Sequence, residues 1–183
     1  MTERVILVDE NDSALGMLEK MRAHEEGKLH RAFSIFIFDE QGRMLLQRRS
    51  KTKYHSGGLW SNACCGHPRP GEETHAAARR RLFEEMGLKC ELLEAFTFIY
   101  RAELDNQLVE HELDHVFIGE CEADAVPAPD PTEVEDWKWL SMTDLLAEML
   151  ARPHDFTYWL KTALHRTEFD DLPALTRANS PSS

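Results

Sequence analysis

Residues 66–88 read Gly66-His67-Pro68-Arg69-Pro70-Gly71-Glu72-Glu73-Thr74-His75-Ala76-Ala77-Ala78-Arg79-Arg80-Arg81-Leu82-Phe83-Glu84-Glu85-Met86-Gly87-Leu88. The opening residues mix glycine and proline and form a loop. From Glu73 to Met86 alanine, arginine, leucine and glutamate take over, which predicts a helix with Thr74 as its cap and Gly87 as its stop. Arg81 and Glu85 stand four apart, so they share one face and can meet one ligand. A loop feeding an acidic helix face suits hard divalent cations, which take carboxylate oxygens and bridge them to a diphosphate. An amphipathic helix with a solvated charged face is the alternative for such a charge run.

Outward from this stretch the chain alternates strand and helix signals. Residues 5–8 form a short strand closed by Glu10-Asn11-Asp12-Ser13, and residues 15–23 form a helical turn or a loop. Residues 32–38 and 43–47 flank Asp39-Glu40-Gln41-Gly42 as a hairpin. Residues 51–58 are polar, contain glycine and form a loop. Residues 92–101 and 108–120 are longer strands, and the three prolines of residues 124–131 mark a loop. Residues 134–140 form a last strand, Ser141 caps a helix through Leu150, and residues 156–166 form a final helix. The pattern is α/β (α+β), a mixed β-sheet sandwiched between helices. It predicts one domain over residues 1–172, followed by a flexible C-terminal tail at 173–183.

A chain of 183 residues can bury one core. Its net charge of -12 excludes nucleic acid and anionic membranes as natural partners. An anionic substrate would need a local cluster of cations against that overall field. No apolar run approaches the ~18 residues of a membrane span, and residues 1–9 lack the features of a signal peptide. A cytoplasmic location is expected. Cys64, Cys65, Cys90 and Cys121 form no CxxC pair, which fits thiols in a reducing compartment.

Glu110 and Glu112 are two apart in a strand, so both carboxylates face one way while His111 faces the other. Like charges so close call for a cation between them, or a proton on one. A solvent-facing strand edge is the plainer alternative. His111-Glu112-Leu113-Asp114-His115 also spells HExxH, but that zinc chemistry needs a helix, and Val116-Phe117-Ile118-Gly119 continues a strand. Cys65 is either a proton-transfer thiol or a small buried residue.

The spacing of residues 66–88 resembles the Nudix box, Gly-x5-Glu-x7-Arg-Glu-U-x-Glu-Glu-x-Gly-U, where U is aliphatic. Arg81 stands where the box has glutamate. That loss of a metal-binding carboxylate weakens a hydrolase reading and favours phosphate binding. Trp60-Ser61-Asn62-Ala63-Cys64-Cys65-Gly66-His67-Pro68 resembles the Asn-x-x-Cys-Gly-His-Pro segment of the type I isopentenyl diphosphate isomerases. Tyr100-Arg101 and Glu110-His111-Glu112 resemble two further segments of that family.

The resemblance implies a Nudix-type fold and a cytoplasmic enzyme of isoprene biosynthesis that interconverts isopentenyl and dimethylallyl diphosphate through a tertiary carbocation. It implies His24, His30, His67, Glu110 and Glu112 as ligands of a first ion, Mn²⁺, Mg²⁺ or Zn²⁺. A second ion, Mg²⁺, would use Glu85 and the Cys65 backbone carbonyl. Cys65 and the Glu112–Tyr100 pair would transfer protons, and Lys20, Arg49, Lys53 and Arg81 would grip the diphosphate. Trp159 would face the cation. His55, His75, His154 and His165 match nothing in the family pattern. Beyond the small-molecule substrate no partner is implied, and a monomer is favoured. The competing functions are a Nudix hydrolase of a nucleoside or prenyl diphosphate and a non-catalytic metal- or diphosphate-binding module.

Overall fold

The structure, a computed structural model, describes residues 3–121 and 125–170. The first half of the chain contributes β1 (Arg4–Val8), β2 (Ala14–Glu19), α1 (Lys20–Glu26), β3 (His30–Phe38), β4 (Met44–Arg49), β5 (Trp60–Ser61), β6 (Cys64–Gly66) and α2 (Thr74–Met86). The second half contributes β7 (Leu92–Glu103), β8 (Val109–Glu120), β9 (Val134–Leu140), α3 (Met142–Ala151), α4 (Tyr158–Leu164) and α5 (Thr167–Asp170).

Strand β3 is apolar from Ala32 to Phe38 except at Ser34, because both of its faces are covered. Phe33, Ile35 and Ile37 face α2, where they pack with Ala77, Ala78, Leu82 and Met86. Phe36 and Phe38 face the opposite layer, with Leu145 of α3 and Trp159 and Leu160 of α4. One edge of β3 runs parallel to β8 in continuous register from His30↔Glu112 to Phe38↔Glu120. The other edge is shared in turn by β1, β6 and β4. β7 pairs antiparallel with β8, and β9 with β4, which makes a mixed, branched sheet between helical layers.

Several expectations need correction. Residues 15–19 belong to strand β2, paired with β1, and α1 begins only at Lys20. The anticipated hairpin closes through the single pair Phe38↔Met44, because β4 diverges to pair with β9 and β5. Thr74 is the first helical residue of α2. Glu73 occupies the cap position with extended backbone and no side-chain bond. Gly87 does stop α2, at φ 67, where a side chain is strained. The helix expected over residues 156–166 is α4, Tyr158–Leu164, which starts two residues later and is followed by the short α5. Asp124 and the expected tail at 173–183 lie outside the described residues. Among the described residues no helix is long and apolar enough to cross a membrane.

Candidate active site

The parallel pairing of β3 with β8 sets His30 beside Glu112, which starts the site. α1 delivers His24 to the same place, and the turn after β6 delivers His67. Donor atoms of His24, His30, His67 and Glu112 all lie within 4.8 Å of one another. The ring chemistry of two of them is settled locally. His24 Nδ1 contacts the Lys20 carbonyl at 2.8 Å and His30 Nδ1 the Lys28 carbonyl at 2.8 Å. A carbonyl only accepts, so each Nδ1 carries the proton and each Nε2 presents a bare lone pair. Both Nε2 atoms are buried without a hydrogen-bond partner. Buried polar atoms are seldom left so. Lone pairs converging on a carboxylate are what a divalent cation requires, so the residues fit a metal centre. Burial keeps His24 below its ordinary pKa and lowers His67 to about 4, which preserves the neutral, ligating form.

Glu110 joins a second, overlapping group with His24 and His55, again within 4.8 Å. The period-2 reading of β8 holds, since Glu110 and Glu112 are both buried on one face. Tyr100 lies 3.0 Å from Glu110 Oε2 and 2.6 Å from Glu112 Oε2 through its hydroxyl. The phenolic proton is shared between two buried carboxyls, whose mutual repulsion a proton on one of them relieves. Burial and the charge of Glu112 push the Glu110 carboxyl well up. Burial acts the same way on Glu112, but His30 and His67, with Nε2 atoms 3.4 and 2.9 Å from its Oε1, outweigh it where their rings are charged and hold that group well below the carboxylate range. The proton therefore belongs to Glu110 in the ion-free protein.

Cys65 and Glu112 line a common cavity of ≈ 680 Å³, together with Tyr100 and Trp159. Cys65 donates to Asn62 Oδ1 at 3.2 Å and lies 3.6 Å from Ser34 Oγ, which itself donates to Asp114 Oδ2 at 2.7 Å. Burial pushes the Cys65 thiol up to about 12, with the Asp114 charge adding to it. Cys64 points away and is fully buried in the layer under α2. Trp159 is anchored through Nε1 to Ser61 Oγ at 2.9 Å, and the Arg49 guanidinium stands 5.1 Å from its ring centre.

Lys20, Arg49, Lys53, Arg81 and Glu85 line the same cavity. All the basic residues singled out from the sequence are thus brought together, in a chain of net charge -12. Their charges are partly met from within. Lys20 pairs with Glu3 at 3.0 Å, Lys53 with Glu133, and Arg81 with Glu84 at 2.7 Å and with Glu85. Glu85 also accepts from Gln47 Nε2 at 3.1 Å. Arg80 pairs with Glu72 at 2.7 Å and with Glu84 at 3.1 Å and reaches the cavity wall.

Four contributors escaped the sequence reading. Asp114 continues the Glu110–Glu112 face by one more step of two, a signal that was there to be used. Ser34 and Glu133 meet the site only through tertiary pairing, and His55 lies in a loop without periodicity. The HExxH segment lies wholly in β8. His111 bonds the Gly27 carbonyl at 3.1 Å and His115 faces Asp12 at 3.0 Å, both away from Glu112.

Comparison with known proteins gives a consistent result. The NUDIX domain matches residues 28–160. The chain is 57% identical over 166 residues to isopentenyl-diphosphate Delta-isomerase 1 of Aromatoleum aromaticum, covering 91% of this chain and 93% of that protein. It is 52% identical over 177 residues to the isopentenyl-diphosphate Delta-isomerase of Burkholderia multivorans, covering 97% and 98%. Among solved structures, a Deinococcus radiodurans protein superposes with a TM-score of 0.67 at 23% identity, over 81% of this chain and 90% of that one, a likeness of fold.

Proposed function

The chain belongs to the isopentenyl-diphosphate Delta-isomerases of the NUDIX-domain family, and from that premise we propose how its side chains move the double bond. The activity is the interconversion of isopentenyl and dimethylallyl diphosphate, and the hydrolase alternative is not favoured. Cys65 and the Tyr100–Glu112 pair are the proton-transfer groups. One donates to the terminal alkene to give a tertiary carbocation, and the other accepts a proton from the neighbouring carbon on the far side. The observation that carries this assignment is that thiol, phenol and carboxylate border one cavity whose wall also bears the basic cluster.

Lys20, Arg49, Lys53 and Arg81 grip the diphosphate, and Lys20, Lys53 and Arg81 each exchange an internal carboxylate for phosphate oxygens. Trp159 supports the carbocation with its π face, an interaction worth about 2 kcal/mol at a dry site. The same wall excludes water, which would otherwise capture the cation as an alcohol. His24, His30, His67 and Glu112, with Glu110, would hold a divalent ion, Mn²⁺, Mg²⁺ or Zn²⁺. Glu85 and the Cys65 carbonyl would hold Mg²⁺ against the diphosphate. Bound there, such ions supply charge neutralisation and a fixed orientation for the carboxylates. Residues 1–172 act as one domain, in the cytoplasm and as a monomer.

The test is incubation with isopentenyl diphosphate and Mg²⁺, scored for acid-labile product. Cys65→Ala is expected to lose about 10²–10⁴ of the rate, the usual worth of a positioned acid or base. Cys64→Ala is expected to keep most of it. The reverse outcome would overturn the assignment of the thiol.

A further inference from the structure

His55 matches no motif, yet the fold carries it into the metal centre. It is 4% exposed, and its Nε2 lies 3.3 Å from Glu110 Oε1. The other oxygen of Glu110 is taken by Tyr100 at 3.0 Å. The imidazole is bounded by Tyr54, His24 and Trp159, with ring centres 4.4, 5.8 and 5.9 Å away. The loop is shaped to hold it there. Ser56 takes φ 50, a left-handed conformation that strains a serine. Gly57 leaves no room for a side chain, since a Cβ would meet the Lys51 carbonyl at 2.9 Å. A metal-ligating Glu110 is ionised and its oxygen accepts, so Nε2 carries the proton, and Nδ1 accepts from Ser56 Oγ at 3.3 Å.

We propose that His55 is a positioning residue of the metal centre, whose Nε2–H holds Glu110 Oε1 and thereby aims that carboxylate at the His24, His30, His67 and Glu112 cluster. The proposal rests on the metal-centre reading above and adds a residue to it. Donors that orient a ligating carboxylate commonly carry about 10–100-fold of metal affinity.

The experiment titrates chelator-stripped full chain with Mn²⁺ alone and follows the free ion by electron paramagnetic resonance, with no substrate present. His55→Phe keeps the ring volume without the donor and is expected to weaken affinity by about 10–100-fold. His55→Gln reaches the Nε2 position with an amide donor and is expected to bind close to the native level. His55→Asn is polar but falls short of Nε2, and is expected to bind as weakly as the phenylalanine variant. It preserves the comparison if the latter does not fold. Melting curves of the metal-free variants check the fold. Native affinity in His55→Phe or His55→Asn, or a glutamine variant as weak as these, would overturn the role of His55. A native chain that takes up no Mn²⁺ would instead defeat the metal-centre reading.

Discussion

At Cys65, the sulfur proposed above to transfer protons, the surroundings hold the group firmly as a thiol. Burial raises the group to about 12, against an ordinary thiol near 8.5. A raised acid pKa means the neutral form persists to higher pH, so at pH 8 the thiolate fraction falls from about a quarter to about 10⁻⁴. The more basic thiolate is intrinsically more nucleophilic, which offsets part of that loss. Iodoacetamide should therefore alkylate Cys65 of the chelator-treated protein about a hundredfold more slowly than a free cysteine at pH 8, with the rate still climbing at pH 10. Mass-resolved kinetics at both pH values check this, and a rate that levels off by pH 9 would contradict it. The residues legible beforehand are those with a short-range signature: Cys65, His67 and Glu85 by spacing, Glu110 and Glu112 by the period of a strand. Of those missed, Asp114 had the strand period to mark it, while Ser34, Glu133 and His55 have no local signature. Ser34 and Asp114 stand 80 residues apart and meet because β3 and β8 run side by side.

Helix α2 fixes the positions of Arg81 and Glu85 relative to the cavity, and its C-terminal stop decides where the chain goes next. Gly87 sits at φ 67 and donates its N–H to the Phe83 carbonyl, while an added Cβ would meet the Ala128 carbonyl oxygen at 2.8 Å. Gly87→Ala combines a left-handed penalty of about 1–2 kcal/mol with that clash. It should lower the unfolding free energy by roughly 2–3 kcal/mol, seen as a shifted urea midpoint at unchanged slope. An unchanged midpoint would mean the segment around Ala128 yields freely. The same helix shows why some elements were readable and others not. α2 has a helical composition and a glycine stop, and β9 was delimited to the residue. β2 lies at an edge with its first four residues exposed, so no buried face imprinted a period on it. β5 and β6 are two and three residues long, too short for any period to register. The β3–β4 turn was visible, but a local signal cannot reveal that β4 leaves for β9.

Over the whole molecule the site binds distant parts of the chain together. His24 comes from α1, His30 from β3, His67 from the turn after β6 and Glu112 from β8, so a shared ion would tie α1 and the turn after β6 to the paired strands β3 and β8. Without it two buried imidazoles keep unpartnered lone pairs, and Glu110 and Glu112 share one phenolic hydroxyl. A ligand that binds the folded state alone stabilises it by mass action, about 2.7 kcal/mol at a hundred times its dissociation constant. For a chain of this length 1 kcal/mol corresponds to roughly 2–4 °C in Tm. Mn²⁺ at that excess should therefore raise the Tm of the chelated protein by about 5–11 °C. Chelator added back should return it. His30→Ala with His67→Ala removes two of the converging donors, and most of the ion-dependent shift should vanish with them. An ion-dependent rise that survives this double substitution would locate the stabilising cation elsewhere, on the Glu85 side of the cavity.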